Sequence, residues 1–261
     1  MKLIRKILVK LLGLKGYLKL VSSIYIKMVS SGFLKSKYPE LFFLDRNLNK
    51  GDTVVDIGAN LAYYSTRMAD NIGKEGTLIA VEPIPLFAEI WEKNMRRKRH
   101  QQVHLCQCAL GSESQKGVRM SIPLVNGVVR HGLTKVVEEG DNREEELGFE
   151  VEMKVGDDLI QGFNLTQLDY IKCDVEGYEQ YVIPSIDKTI DQFLPMFQIE
   201  LGGTENRQNV VDYLTSKGYE IFTLKTDKLI PLQKSDIFSV NTDFYFIHPT
   251  KKEKKSHLIQ N

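Results

Sequence analysis

Val54-Val55-Asp56-Ile57-Gly58-Ala59-Asn60-Leu61-Ala62 is the stretch on which the fold turns. An apolar, β-branched run carries one acid, passes through Gly58 and Asn60, and enters a segment of helical periodicity. That is how the first half of a βαβ unit begins. Gly58 allows the backbone to turn tightly beneath a ligand, and Asn60 lies near the start of a helix, whose free amides favour a carboxylate. The turn predicts a nucleotide-like ligand at Asp56, Gly58 and Asn60. A tight turn without a ligand would also favour glycine and asparagine.

Outward from this stretch, short β-branched runs alternate with longer amphipathic ones. Strands are expected at 53–57, 77–82, 103–109, 168–174, 196–201, 219–224 and 243–248, and helices at 61–72, 86–99, 178–186 and 205–217. Such alternation implies a mostly parallel sheet flanked by helices, an α/β Rossmann-like architecture. Between 116 and 155 the period shifts to two, which predicts a β-hairpin insertion. The expected domain runs from 50 to 249, with a helical extension over 1–49 and a disordered lysine-rich tail over 250–261.

The second expected strand ends at Val81-Glu82-Pro83. An acid there can accept hydrogen bonds from both hydroxyls of a ribose, as in dinucleotide-binding sheets. The turn lacks a GxGxxG series, so a nucleoside ligand without a pyrophosphate fits better than a dinucleotide.

Composition sets the remaining bounds. The 261 residues can bury one sizeable core, and a net charge of +1 gives no global field for nucleic acid. No basic stripe interleaved with aromatics marks the catalytic region, so a nucleic-acid partner is not expected. Cys106, Cys108 and Cys173 are odd in number and lie in apolar segments, which predicts reduced core thiols and a cytoplasmic setting. The first 39 residues hold nine Lys or Arg and no acid, with Leu3, Ile4, Ile7, Leu8, Leu11 and Leu12 at helical spacing. Two uses of this basic amphipathic segment (1–30) stand side by side: peripheral docking on an anionic membrane face, or packing on the domain or on a second copy in a homo-oligomer.

Four blocks, Val55 to Asn60, Glu82-Pro83, Ala109-Leu110-Gly111 and Ile171-Lys172-Cys173-Asp174-Val175-Glu176-Gly177-Tyr178-Glu179, together resemble the FkbM family of S-adenosylmethionine-dependent methyltransferases. The resemblance covers about residues 50–248. It implies a class I methyltransferase fold with a seven-stranded sheet, S-adenosylmethionine as cofactor, and O-methylation of a sugar, glycolipid or other hydroxylated metabolite. Where the family has glycine before Ser65 this chain has Ala62, and where it often has Asn before Ala-Leu-Gly this chain has Gln107 and Cys108. Backbone amides of Gln107, Cys108 and Ala109 are the expected adenine contacts.

Methyl transfer is an in-line displacement that needs positioning above all, although a base helps a neutral hydroxyl attack. Asp174 and Glu176 follow the fourth parallel strand at the carboxyl edge of the sheet, where open α/β sheets bind ligands. Asp174 is the preferred base or hydroxyl anchor, with Glu176 beside it. His131, in the insertion, is a further candidate base. An alternative joins Asp174 and Glu176 to Glu200 as oxygen ligands of a divalent metal. Glu179 is expected to serve the helix start, and Asp169 the opposite edge of the sheet. Competing functions are methylation of a nitrogen or carboxylate acceptor, and a binding domain that keeps the cofactor pocket without catalysis.

Overall fold

Strand β1 (Thr53–Ile57) is buried at every position, as a strand covered on both faces must be. In the computed structural model, which describes residues 2–98, 100, 102–125, 128–129, 135–136 and 146–260, β1 is the centre of the sheet. It pairs in parallel with β2 (Thr77–Val81) on one side and β9 (Tyr170–Cys173) on the other. The sheet continues through β3 (Val103–Cys106) beyond β2, and through β10 (Met196–Ile199) beyond β9. Antiparallel β13 (Phe244–Ile247) then separates β10 from β11 (Glu220–Lys225). The fold is the Rossmann-like α/β class, with a mostly parallel sheet.

The sheet has eight strands where seven were expected. The eighth, β12 (Lys228–Pro231), folds back on β11 through a tight turn at Thr226, whose φ is 61°. Its lysine and proline ends concealed it, because proline is tolerated only at such an edge.

The insertion is a second, five-stranded sheet. Its frame is the expected hairpin, β5 (Gln115–Val125) against β8 (Glu146–Val155), joined by β4 (Ala109–Gly111), β6 (Val128–Val129) and β7 (Lys135–Val136). The expected strand 103–109 is therefore divided: β3 stays in the large sheet, while β4 pairs in parallel with β8.

Two boundaries differ from expectation. Helix α2 (Pro39–Asn47) buries Leu41, Phe42, Phe43 and Leu44 in the core that holds Val54, Leu78 and Trp91, so part of the expected extension belongs to the core. The tail expected to be disordered is packed instead: it forms a short helix at Pro249–Lys252 and a 3-10 turn at Ser256–Leu258, with Leu258 fully buried. Lys255 Nζ donates to the Asn47 carbonyl at 2.7 Å and to its Oδ1 at 2.8 Å, and the Gln260 amide donates to the Leu229 carbonyl. These contacts tie the tail to α2 and β12 despite its charge.

Ahead of α2, helix α1 (Lys2–Ser30) breaks at Gly13, where φ is 66°. Its later half lies on α3 (Tyr63–Ile72) and α4 (Pro85–Met95). Among the described residues no helix is long and apolar enough to cross a membrane.

Candidate active site at the carboxyl edge of the sheet

The site begins where β1, β2 and β9 end. Gly58 adopts φ 80°, and a β-carbon there would overlap the Asp174 carbonyl oxygen, so only glycine lets the ends of β1 and β9 approach this closely. The Gly58 and Ala59 amides both donate to the Val81 carbonyl at 3.0 Å. Asn60 and Ala62 follow in left-handed conformations, φ 47° and 71°, and launch α3. For residues other than glycine this geometry is strained, and such strain concentrates at ligand sites.

Glu82 is held by both neighbouring turns. Its Oε2 accepts from the Asn60 amide and its Oε1 from the Ile84 amide, each at 2.8 Å. Each carboxylate oxygen keeps a further lone pair for a ribose hydroxyl. Burial pushes the carboxyl up to about 7, against the lowering effect of the two backbone bonds. Beside it lies a narrow cleft walled by Ile57, Val81, Pro83, Cys108, Ala109 and Met120. Apolar walls next to a hydroxyl-binding acid suit a purine and its ribose.

Cys108 and Ala109 are among these walls, while Gln107 is exposed and is not. The Cys108 amide donates to the Cys106 carbonyl at 3.0 Å. Burial pushes the Cys108 thiol up to about 12, and all three cysteines are free thiols.

Beneath the edge runs a polar row that the sequence reading missed. The register places Asp56 beside Lys172, Lys172 beside Gln198, and Gln198 beside Tyr245, all on one face of the sheet and all buried. Lys172 Nζ lies 3.0 Å from Asp174 Oδ2 and 4.4 Å from the centre of the Tyr64 ring. Burial alone would lower the Lys172 ammonium, but Asp174, Asp56 and Asp243 together raise it above its ordinary value. Gln198 donates to Asp243 Oδ2 at 2.6 Å and also bonds Tyr170. Burial lifts Asp243 to about 6. A lysine flanked by Ile171 and Cys173 inside a buried strand was the available signal, since lysine is seldom fully buried unless paired.

Asp56 Oδ2 accepts from the Ser65 hydroxyl at 2.5 Å, and the same hydroxyl accepts from Trp91 Nε1 at 2.8 Å. Asp56 Oδ1 is buried without a hydrogen-bond partner. An orphaned carboxylate oxygen, the close passage at Gly58, the twice-fixed Glu82 and the apolar cleft together fit S-adenosylmethionine. Tyr63 packs on Tyr25 of α1, and Tyr64 joins the polar row.

Between the ends of β9 and β10 a cavity of about 450 Å³ is lined by Asp174, Glu176, Gln180, Glu200, Thr204 and Asn206 among others. Glu176 stands in the left-handed region, φ 54°, followed by Gly177 at 94°. Glu179 sets this loop: fully buried, it accepts from the Val175 amide at 2.8 Å, the Gly177 amide at 3.1 Å and Asn206 Nδ2 at 2.7 Å. Glu179 is a positioning residue, more specific than the helix-start role expected. Asp169 accepts from the Thr53 amide at the far edge of the sheet.

The carboxyl group of Glu176 is desolvated, and with Asp174, Glu200 and Glu179 around it, is pushed up to about 8. Asp174 first, then burial, lifts Glu200 to about 7. Neighbouring acids around this cavity thus raise Glu176 and Glu200. Among the described residues, no three His, Cys, Asp or Glu are grouped so as to hold a metal ion. His131 lies outside the described residues.

A Rossmann-like sheet with a glycine turn after its first strand, an acid closing its second and an acid-lined cavity at its fourth and fifth defines a class I S-adenosylmethionine-dependent methyltransferase. The sequence profile of the methyltransferase FkbM domain matches residues 56–221, and the chain belongs to that family. It is also similar over short stretches to two protein-L-isoaspartate O-methyltransferases. One, from Caenorhabditis elegans, is 32% identical over 63 residues, 24% of this chain and 28% of that protein. The other, from Archaeoglobus fulgidus, is 37% identical over 49 residues, 19% and 23% of the two chains. The chain thus spans about a quarter of the length of these curated relatives. Among solved structures, an FkbM methyltransferase from Methylobacillus flagellatus KT superposes with TM-score 0.49 at 15% identity, covering 77% of this chain and 44% of the other. Aeropyrum pernix fibrillarin with natively bound S-adenosyl-L-methionine superposes with TM-score 0.45 at 11% identity, covering 77% and 68%.

Proposed function

We propose that the protein transfers a methyl group to a hydroxyl of a polyhydroxylated acceptor, such as a sugar, a glycolipid or a secondary metabolite. The observation that carries this reading is the composition of the acceptor cavity. Asp174, Glu176 and Glu200 offer hydrogen-bond acceptors, and Gln180, Thr204 and Asn206 add groups that both donate and accept. Neutral hydroxyls find partners on every side. A carboxylate acceptor, by contrast, would add negative charge to a cavity where neighbouring acids already raise Glu176 and Glu200.

When bound, S-adenosylmethionine supplies an electrophilic methyl group. Glu82 would hold the ribose and the apolar cleft the purine. Asp174 lies at the end of β9 and is itself fixed by Lys172. Its carboxylate would take the proton of the acceptor hydroxyl as the carbon–oxygen bond forms and the sulfur–methyl bond breaks, with S-adenosylhomocysteine leaving, and the Glu179 clasp keeps the 175–177 loop in place.

The test pairs labelled S-adenosylmethionine with a panel of sugars, glycolipids and carboxylic acids, using the native chain and Asp174→Asn. Label is expected on hydroxyl oxygens, with turnover in the variant lower by about two to four orders of magnitude and cofactor affinity nearly unchanged. Label confined to carboxylates, or near-native turnover in Asp174→Asn, would overturn the reading.

A further inference from the structure

Helix α1 does two different things on either side of Gly13. After the break it is clamped to the domain: Tyr17 and Leu18 are buried, Lys15 and Lys19 pair with Glu89 of α4, and the Ser22 hydroxyl accepts from Asn94 Nδ2 at 2.9 Å. Before the break, Leu8 and Val9 pack inward, while Ile4, Ile7, Leu11 and Leu12 remain 63%, 49%, 74% and 47% exposed. The clamped half also leaves Leu20 and Ile24 partly in solvent. So continuous an apolar face is unusual on a soluble monomer.

The charge around this face has one sign. All nine ionised side chains before Glu40 are cationic, and Lys6 and Lys10 are exposed with no acidic partner among the described residues. Apolar side chains flanked by unpaired cations complement an anionic bilayer, whose interface takes up the former while its headgroups attract the latter. A protein partner would need an acidic rim around an apolar groove; a second copy of the same face would set cation against cation.

The inward side of the same helix meets the catalytic domain. Leu8, Val9, Tyr17 and Leu18 belong to the same cluster as Ala109 and Met120, which wall the cofactor cleft. We infer that the outer face of α1 docks the enzyme on an anionic lipid surface, which would bring it to a lipid-borne hydroxyl acceptor. The acceptor half of this inference rests on the function proposed above; the docking half stands on α1 alone.

Sedimentation of the full chain with phosphatidylcholine vesicles, with and without phosphatidylserine, tests it. The chain is expected to pellet with the anionic vesicles at low salt and to be released at high salt, because the Debye length falls from about 10 Å at 0.1 M to about 3 Å at 1 M. Lys6→Gln with Lys10→Gln should weaken partitioning about 30-fold, near fivefold per cation, and Ile7→Ser with Leu11→Ser about tenfold or more. These positions are exposed, so the fold is retained, and calorimetric titration with S-adenosylmethionine should be unchanged in every variant. Absence of binding to anionic vesicles, equal binding to neutral ones, or native binding by either double variant would overturn the inference. A native chain that ignores vesicles but self-associates until Ile7→Ser with Leu11→Ser makes it monomeric would assign the face to a second copy instead. Retained cofactor binding in that case would leave the methyltransferase reading standing.

Discussion

Glu82 is the residue whose surroundings most constrain the chemistry. Two backbone amides hold it at 2.8 Å each, yet burial brings its carboxyl up to about 7. A raised carboxyl is protonated below that value and charged above it, and only the charged form accepts from both ribose hydroxyls with both oxygens. Affinity for S-adenosylmethionine is therefore present on the alkaline side and lost as pH falls through about 7. Titrations at about pH 8 and about pH 6 should differ about tenfold, since the charged fraction changes by that factor across one unit on either side. In Glu82→Gln, which cannot titrate, the profile should be weak and flat. An undiminished slope in that variant would move the pH dependence to another group.

At the scale of elements, strand β9 brings the site and the core into one structure. Lys172 lies on its buried face opposite Asp56, and Asp174 two residues on points to the same face at the sheet edge. Ile171 and Cys173 alternate with them into the apolar core on the other face. The lysine compensates Asp56, Asp174 and Asp243 together, so its removal strands several acids in a low dielectric. Lys172→Met should cost about 3–5 kcal/mol of stability in denaturant unfolding near neutral pH. The sign of the pH effect follows from Asp243, raised to about 6: below that value it is neutral, so the deficit should shrink under acid conditions. A deficit that stays constant between about pH 5 and about pH 8 would show that lost packing, rather than stranded charge, sets the cost.

For the whole molecule, the sequence disclosed most where local chemistry and the fold agree. The β1 turn, Glu82 and the Asp174 strand end all lie at one edge, because a parallel sheet gathers its strand ends there. The β5–β8 hairpin was visible in its period of two. What stayed hidden depended on distant partners. Lys172 looks like an interruption until register sets it against Asp56, Glu179 looks like helix-start charge until Asn206 closes on it from the helix after β10, and the charged tail folds only because α2 and β12 receive it.

The central claim is that the carboxyl edge of β1, β2 and β9 binds S-adenosylmethionine, and calorimetric titration of the full chain tests it most directly. The account predicts saturable binding of S-adenosylmethionine, none of NAD, and a loss of about 10- to 100-fold in Glu82→Ala, the worth of hydrogen bonds to a charged group. Binding of NAD without S-adenosylmethionine, or native affinity in Glu82→Ala, would contradict it.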